Sequence, residues 1–303
     1  MAPSCTVVRM QPLIWDRRPD GLRAPALVCA FKGWNDAGDA ASAALSFVGA
    51  GLGATRFARV DPEEFFDFQS TRPRIRLTDG RTRELSWPEI DVYEARVPRA
   101  PRDLILLEGP EPSMRWRAFC RLVVDLAEAL GIQLVVTMGA LLADVPHSRP
   151  VNITGLSSDA ELVSRLGLTA GTYEGPTGIT GVLHSACAQA GLPSASLWAS
   201  VPHYVAAAPN PKAALALVRK LERLVGVSVD ASELESAAAD YERQVGLAVQ
   251  SDPDVQAFVE RLERAAEDEQ STIAPEDVPS GDLIAREFQR FLRQRGREGG
   301  GRS

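Results

Sequence analysis

The stretch Ala26-Leu27-Val28-Cys29-Ala30-Phe31-Lys32-Gly33-Trp34-Asn35-Asp36 decides the fold. A short apolar run after Pro25 reads as a strand buried on both faces. Lys32-Gly33-Trp34-Asn35-Asp36 then turns the chain. Asn35 or Asp36 can cap a helix that begins near Ala37 and runs, rich in small residues, to about Gly49.

The same unit recurs downstream. Asp103 to Glu108 is a second apolar strand, stopped by Gly109-Pro110. Ser113 can cap the helix that follows. Its apolar positions, Trp116, Phe119, Leu122, Val123, Leu126 and Leu130, lie three and four residues apart on one face, and Gly131 stops it. Ile132 to Met138 is a third strand, and Ser157 to Leu166 a short helix closed by Gly167. Ile179 to Ala190 is a helix closed by Gly191, and Ser194 to Val201 a strand ending at Pro202-His203. Asn210-Pro211 introduces a helix from Lys212 to Val225, with proline at a first-turn position. Strands alternating with helices predict an α/β fold: a mostly parallel central sheet between two helical layers. Thr55 to Val97 breaks the rhythm. Its alternating stretch Arg72 to Thr78, followed by Asp79-Gly80, predicts an antiparallel hairpin excursion.

The pattern changes near residue 228, after which the chain is helical and charged. We therefore divide it into an α/β domain over 1–228, a helical C-terminal region over 229–295 and a disordered tail over 296–303. Ser232, Asp252-Pro253 and Ser280 are the expected helix starts. Their apolar stripes include Leu234, Tyr241, Val245 and Ala248, then Val255, Phe258, Val259 and Leu262. Such stripes must bury themselves on the α/β body or on another subunit.

Composition narrows the class. The 303 residues are 45% hydrophobic and 24% charged, as in ordinary globular proteins, and a chain this long needs no disulfide or metal staple. Net charge is −7, which argues against a nucleic-acid partner. Cys5, Cys29, Cys120 and Cys187 are widely spaced and form no ligand pair. The longest apolar region, Ala129 to Ala143, is broken by Gln133, Thr137 and two glycines and is too short to span a bilayer. No apolar leader stands in Met1 to Asp20, so a cytoplasmic location without membrane partners is expected.

Ligands of open parallel sheets bind beyond the carboxyl ends of the strands. That places the candidate cleft at Lys32, Gly33, Trp34, Asn35 and Asp36, at Glu108 and Gly109, and at Gly139. Glu174, Gly175, Thr177 and Gly178 join them, in a glycine-rich loop that opens a helix whose free N–H groups can hold an anion. Trp34 would be a stacking platform and Glu108 or Glu174 a base. Each of these residues also serves ordinary turns, and Gly178 and Gly181 also suit close helix packing. The loop matches neither the dinucleotide fingerprint nor the Walker motif. His147, His184 and His203 form no metal-ligand pair, and no nucleophile elbow or Cys–His pair is evident. We therefore assign no catalytic residue, no metal and no cofactor. Arg72, Arg74 and Arg76 read as a solvated strand face.

Four blocks resemble the proteasome assembly chaperone 2 family in its actinobacterial branch. They are residues 30–38, residues 107–112, residues 139–150 from Gly139 to Pro150, and residues 173–179 from Tyr173 to Ile179. The resemblance covers roughly residues 10 to 270. It implies a phosphorylase/hydrolase-like α/β fold and, from eukaryotic relatives, a role in assembling proteasome α subunits. Archaeal relatives form homo-oligomers and dock through a hydrophobic–Tyr–any-residue tail. This sequence ends Gly299-Gly300-Gly301-Arg302-Ser303 with no penultimate Tyr, so tail insertion is not carried over.

Two functions follow as expectations. The first is a non-enzymatic, homo-oligomeric protein-interaction or assembly factor whose protein partner would be proteasome-related. The second is a small-molecule protein, nucleoside- or phosphate-ester-binding, that uses the strand-end cleft.

Overall fold

A computed structural model describes residues 12–78, 81–157, 173–205 and 208–271. Strands β1 (Leu13–Trp15), β2 (Ala26–Lys32), β3 (Thr55–Val60), β6 (Ile90–Ala95), β7 (Leu104–Pro110), β8 (Leu134–Ala143), β9 (Ile153–Ser157) and β10 (Ser194–Pro202) form one sheet. Their order is β1-β3-β6-β7-β2-β8-β10-β9. Its middle four strands, β7, β2, β8 and β10, are parallel neighbours. Antiparallel strands extend it on both sides, so the sheet is mixed, with the parallel part at its centre. The flanks are antiparallel because short connections, such as that from β6 to β7, return the chain beside itself, whereas parallel neighbours need a crossover.

Alternation along β2 assigns the two faces. Ala26, Val28 and Ala30 pack with Leu104, Leu106, Val136 and Met138 against α1 (Ala40–Gly51) and α4 (Pro211–Val225). Leu27, Cys29 and Phe31 pack with Ile105, Leu107 and Val135 against α2 (Trp116–Ala129) and α3 (Ile179–Gln189). Both faces of the central strands are covered, which is why they read as continuous apolar runs. The α/β class with helices on both faces of a central sheet is thus observed. β4 (Arg74–Thr78) and β5 (Thr82–Ser86) form a separate antiparallel ribbon at the expected excursion.

Local expectations meet mixed outcomes. Asn210 caps α4, accepting the Ala213 N–H at 3.0 Å. Ser113 does not cap α2. Its N–H goes to the Phe65 carbonyl, and the helix starts only at Trp116. Ser232 is the first residue of α5 (Ser232–Gln250), whose N-cap position is Ala231. α1 starts at Ala40 after a 3-10 turn, Ala37–Asp39, because Gly38 and Asp39 adopt positive φ. The third strand runs to Ala143, beyond the expected end at Met138, since β10 pairs with it as far as Ala143. In α5, Val249 is buried where Ala248 was expected. The helices expected from Ser157 and Ser280 and the tail over 296–303 lie, apart from Ser157 at the end of β9, outside the described residues.

Beyond residue 228, Val229 and Leu234 join the α1–α4 core. α6 (Pro253–Ser271) packs on α5 and on the loop after β8. No described helix is long and apolar enough to cross a membrane.

Candidate functional site

The parallel strands β2, β7 and β8 end side by side, and the start of α3 comes up to the same crest. Lys32 pairs in register with Pro110. Beyond it, the Asn35 carbonyl accepts the Ala140 N–H at 2.8 Å and ties the β2 turn to β8. That turn buries Asn35 and Asp36 while leaving Trp34 47% exposed.

Glu111 organises the centre of this crest. One of its oxygens accepts the Asn35 side-chain N–H at 3.1 Å and the backbone N–H of Ile179, the first residue of α3, at 2.9 Å. A carboxylate at a helix N-terminus meets both the unpaired N–H groups and the positive end of the helix dipole. Gly178 fits against this pair because it has no side chain. A Cβ there would lie 2.0 Å from Asn35 Nδ2 and 2.7 Å from Glu111 Oε1. Gly33 also borders Glu111, whose Cβ is 3.2 Å from the place a Gly33 Cβ would take.

Asp36 turns away to serve α1. It accepts from the N–H groups of Ala41 (2.7 Å) and Ser42 (3.2 Å) and from the Ser42 hydroxyl (2.5 Å). Burial raises its pKa above the ordinary 3.8, although these three bonds favour the ionised form.

The remaining candidates do not join this cluster. Glu108 accepts the Ser46 hydroxyl at 2.8 Å, on the α1 side of the sheet. Strand alternation sends its side chain to the face opposite α2 and α3. Gly109 abuts the backbone of Glu89 and Ile90, and Gly139 lies beneath the Trp198 ring. Glu174, Gly175 and Thr177 are exposed, as is Lys32, and Tyr173 donates to the Pro176 carbonyl within the loop. So Gly33, Asn35 and Gly178 meet around Glu111, while Glu108 and Glu174 stand apart. The base expected at Glu108 or Glu174 has no partner group from this cluster. Sequence reading passed over Glu111. The available signal was a carboxylate just past a strand end, in a fold with an otherwise bare helix start.

Around this filled centre the crest exposes apolar side chains beside the charged Lys32 and Glu174. Trp34, Met114, Leu141, Leu142 and Tyr173 are each between 41% and 53% exposed. Among the described residues no three His, Cys, Asp or Glu side chains converge as metal ligands would.

A second polar cluster lies where β8 and β10 meet the C-terminal helices. The Tyr204 hydroxyl accepts the His147 N–H at 2.7 Å and bonds its ring Nδ1 at 2.8 Å. Lys212 donates to the His147 carbonyl and pairs with Glu242 on α5 at 2.6 Å. His203 contacts Asp144 at 2.9 Å and packs edge-on against Phe258 of α6. Ser148 and Arg149 bond Glu263 and Glu267 on α6. The histidines thus hold the loop after β8 to the helices. His184, in α3, is set apart from them.

A Streptomyces avermitilis PAC2 family protein is 47% identical, covering 78% of this chain and 99% of its own, with TM-score 0.72. A Mycobacterium tuberculosis proteasome-assembly chaperone homologue is 44% identical, covering 77% and 99%, also with TM-score 0.72. An archaeal proteasome activator from Pyrococcus furiosus, 17% identical with TM-score 0.61 over 78% of this chain and 97% of its own, shares the fold. No curated protein matches the chain. The family model described as the PAC2 family matches residues 30–249, and the chain belongs to that family.

Proposed function

We propose that this protein is a non-enzymatic, cytoplasmic, homo-oligomeric assembly factor that docks a protein partner on its crest. The partner class suggested by the names of its relatives is proteasome-related. One observation carries the reading: exposed apolar side chains surround a helix start already occupied by the chain's own Glu111. Clustered exposed apolar side chains are typical of protein interaction sites. A ligand anion would have to displace Glu111, and Gly178 leaves no space beside it.

The alternative, a small polar ligand at the crest, draws support from Asn35 Oδ1, a buried acceptor without a hydrogen-bond partner. The two readings separate experimentally. Purified chain mixed with proteasome α subunits should retain them. Trp34→Asp with Leu142→Asp should weaken retention by at least ~10-fold, the usual effect of breaking an apolar anchor. Retention that is absent, or indifferent to these changes, sinks the proposal. A co-purifying metabolite lost on Asn35→Ala would favour the alternative.

A further inference from the structure

α6 is held far more lightly than the other described helices. Each of α1 to α5 buries four or more residues, whereas among the side chains described in α6 only Val259 is buried. Val255, Phe258 and Leu262 complete its inward stripe and are half-buried. Helices in proteins draw most of their stability from packing an apolar face. With so little burial, α6 opens at a lower free energy than the sheet it leans on.

What holds α6 is local. Val259 packs with Val245 and Val249 of α5 in a small cluster separate from the two that flank the sheet. The Phe258 ring meets His203 edge-on, at 5.5 Å between centroids, and Tyr204 at 5.9 Å. Glu263 accepts from the Ser148 hydroxyl, and Glu267 pairs with Arg149. Both members of that ion pair are exposed, so it adds little and weakens with salt. The place that α6 covers gives this a consequence. Leu142 of β8 pairs in register with Val201 of β10, and Ala143 with Pro202. His203 and Tyr204 follow at once, so Phe258 sits over the end of the same crest on which Leu141 and Leu142 are exposed. Release of α6 uncovers Tyr204 and Val205, next along that crest.

We propose that α6 is an autoinhibitory cover of the crest. Docked, it hides the β10 end. Released, it adds Tyr204 and Val205 to the apolar surface offered to a protein partner. The inference rests on the crest reading above, but the release of α6 is measurable with no partner present. Only the released form presents the whole surface, so apparent affinity scales with the fraction released.

The test uses the full chain and three readouts: hydrogen exchange, binding of the apolar dye anilinonaphthalene sulfonate, and retention of proteasome α subunits. Glu263→Lys with Glu267→Lys breaks both polar ties, and Phe258→Ser removes the ring. In the wild type, α6 amides should exchange at least ~100-fold faster, relative to intrinsic rates, than those of β2 and β8. Each variant should speed α6 by a further ~10-fold, the effect of losing a contact of ordinary strength, and leave β2 and β8 unchanged. Dye binding and α-subunit retention should rise in both variants. Adding Tyr204→Ser to either should cancel the gain. Wild-type α6 that exchanges as slowly as β2 and β8, or variants that loosen those strands as well, would show that α6 opens only with the body and overturn the proposal. Faster α6 exchange with no gain in dye or subunit binding, or a gain that survives Tyr204→Ser, overturns the cover. A gain in dye binding with no subunit retained by any form overturns the crest reading instead and leaves α6 as a cover of apolar surface.

Discussion

Glu111 shows how one residue sets the character of the crest. Its carboxylate takes the α3 N-terminus and the Asn35 amide together, so the positive end of the helix is neutralised from within the chain. Gly178 is the residue that allows it. Gly178→Ala must push Asn35 and Glu111 aside, both held by other contacts, and should destabilise the fold by about 2 kcal/mol, in the range for overpacking a tight site. Denaturant unfolding measures this. A change below ~0.5 kcal/mol, the range of neutral surface substitutions, would show that the crest relaxes freely.

Among elements, the joint between the body and α5–α6 is where pH acts. Burial, and then the nearby Lys212 charge, hold the His147 pKa below its ordinary 6.5, with Glu242 and Glu263 pulling the other way. The unfolded or detached histidine therefore takes a proton that the packed one resists. His147 thus contributes stability to the packed joint above pH 6.5, and that contribution is lost as pH falls from 6.5 through the lowered folded value. Protection of α5 and α6 amides, taken relative to the intrinsic exchange rate at each pH, should fall as pH drops below 6.5. His147→Gln should flatten the response. The same pH profile in both proteins would remove His147 as the cause.

At the level of the elements, much was legible in the sequence. The apolar run from Ala26, the helix start at Asn210-Pro211 and the antiparallel pairing of the excursion each depend on neighbours within a few residues, and all three are in place. The Ser113 cap failed for a tertiary reason. The Phe65 carbonyl, from the antiparallel excursion, holds the N–H groups of Ser113 and Met114, and Arg115, at positive φ, takes the N-cap position instead.

In the whole molecule, the core between the sheet and α2–α3 encloses Cys29, Cys120 and Cys187. Burial raises all three thiols, Cys120 to about 12 and Cys187 to about 11. Little thiolate forms near neutrality, and reagent reaches these sulfurs only when the core opens. Peptide-resolved alkylation should therefore label these three positions together, along the denaturant curve for global unfolding. Early labelling of Cys187 alone would mean that α3 opens by itself.

By itself the sequence determined the central strands β2, β7, β8 and β10, the main helices that follow them, and that the body is α/β. Those properties come from periodicity and turn chemistry over a few residues. Only the tertiary structure decided that the sheet is parallel just at its centre, that Glu108 faces α1, and that Glu111 fills the helix start. The partners of Glu111, Asn35 and Ile179, lie 76 and 68 residues away along the chain. Contacts at such separations depend on strand order, which local pattern does not encode.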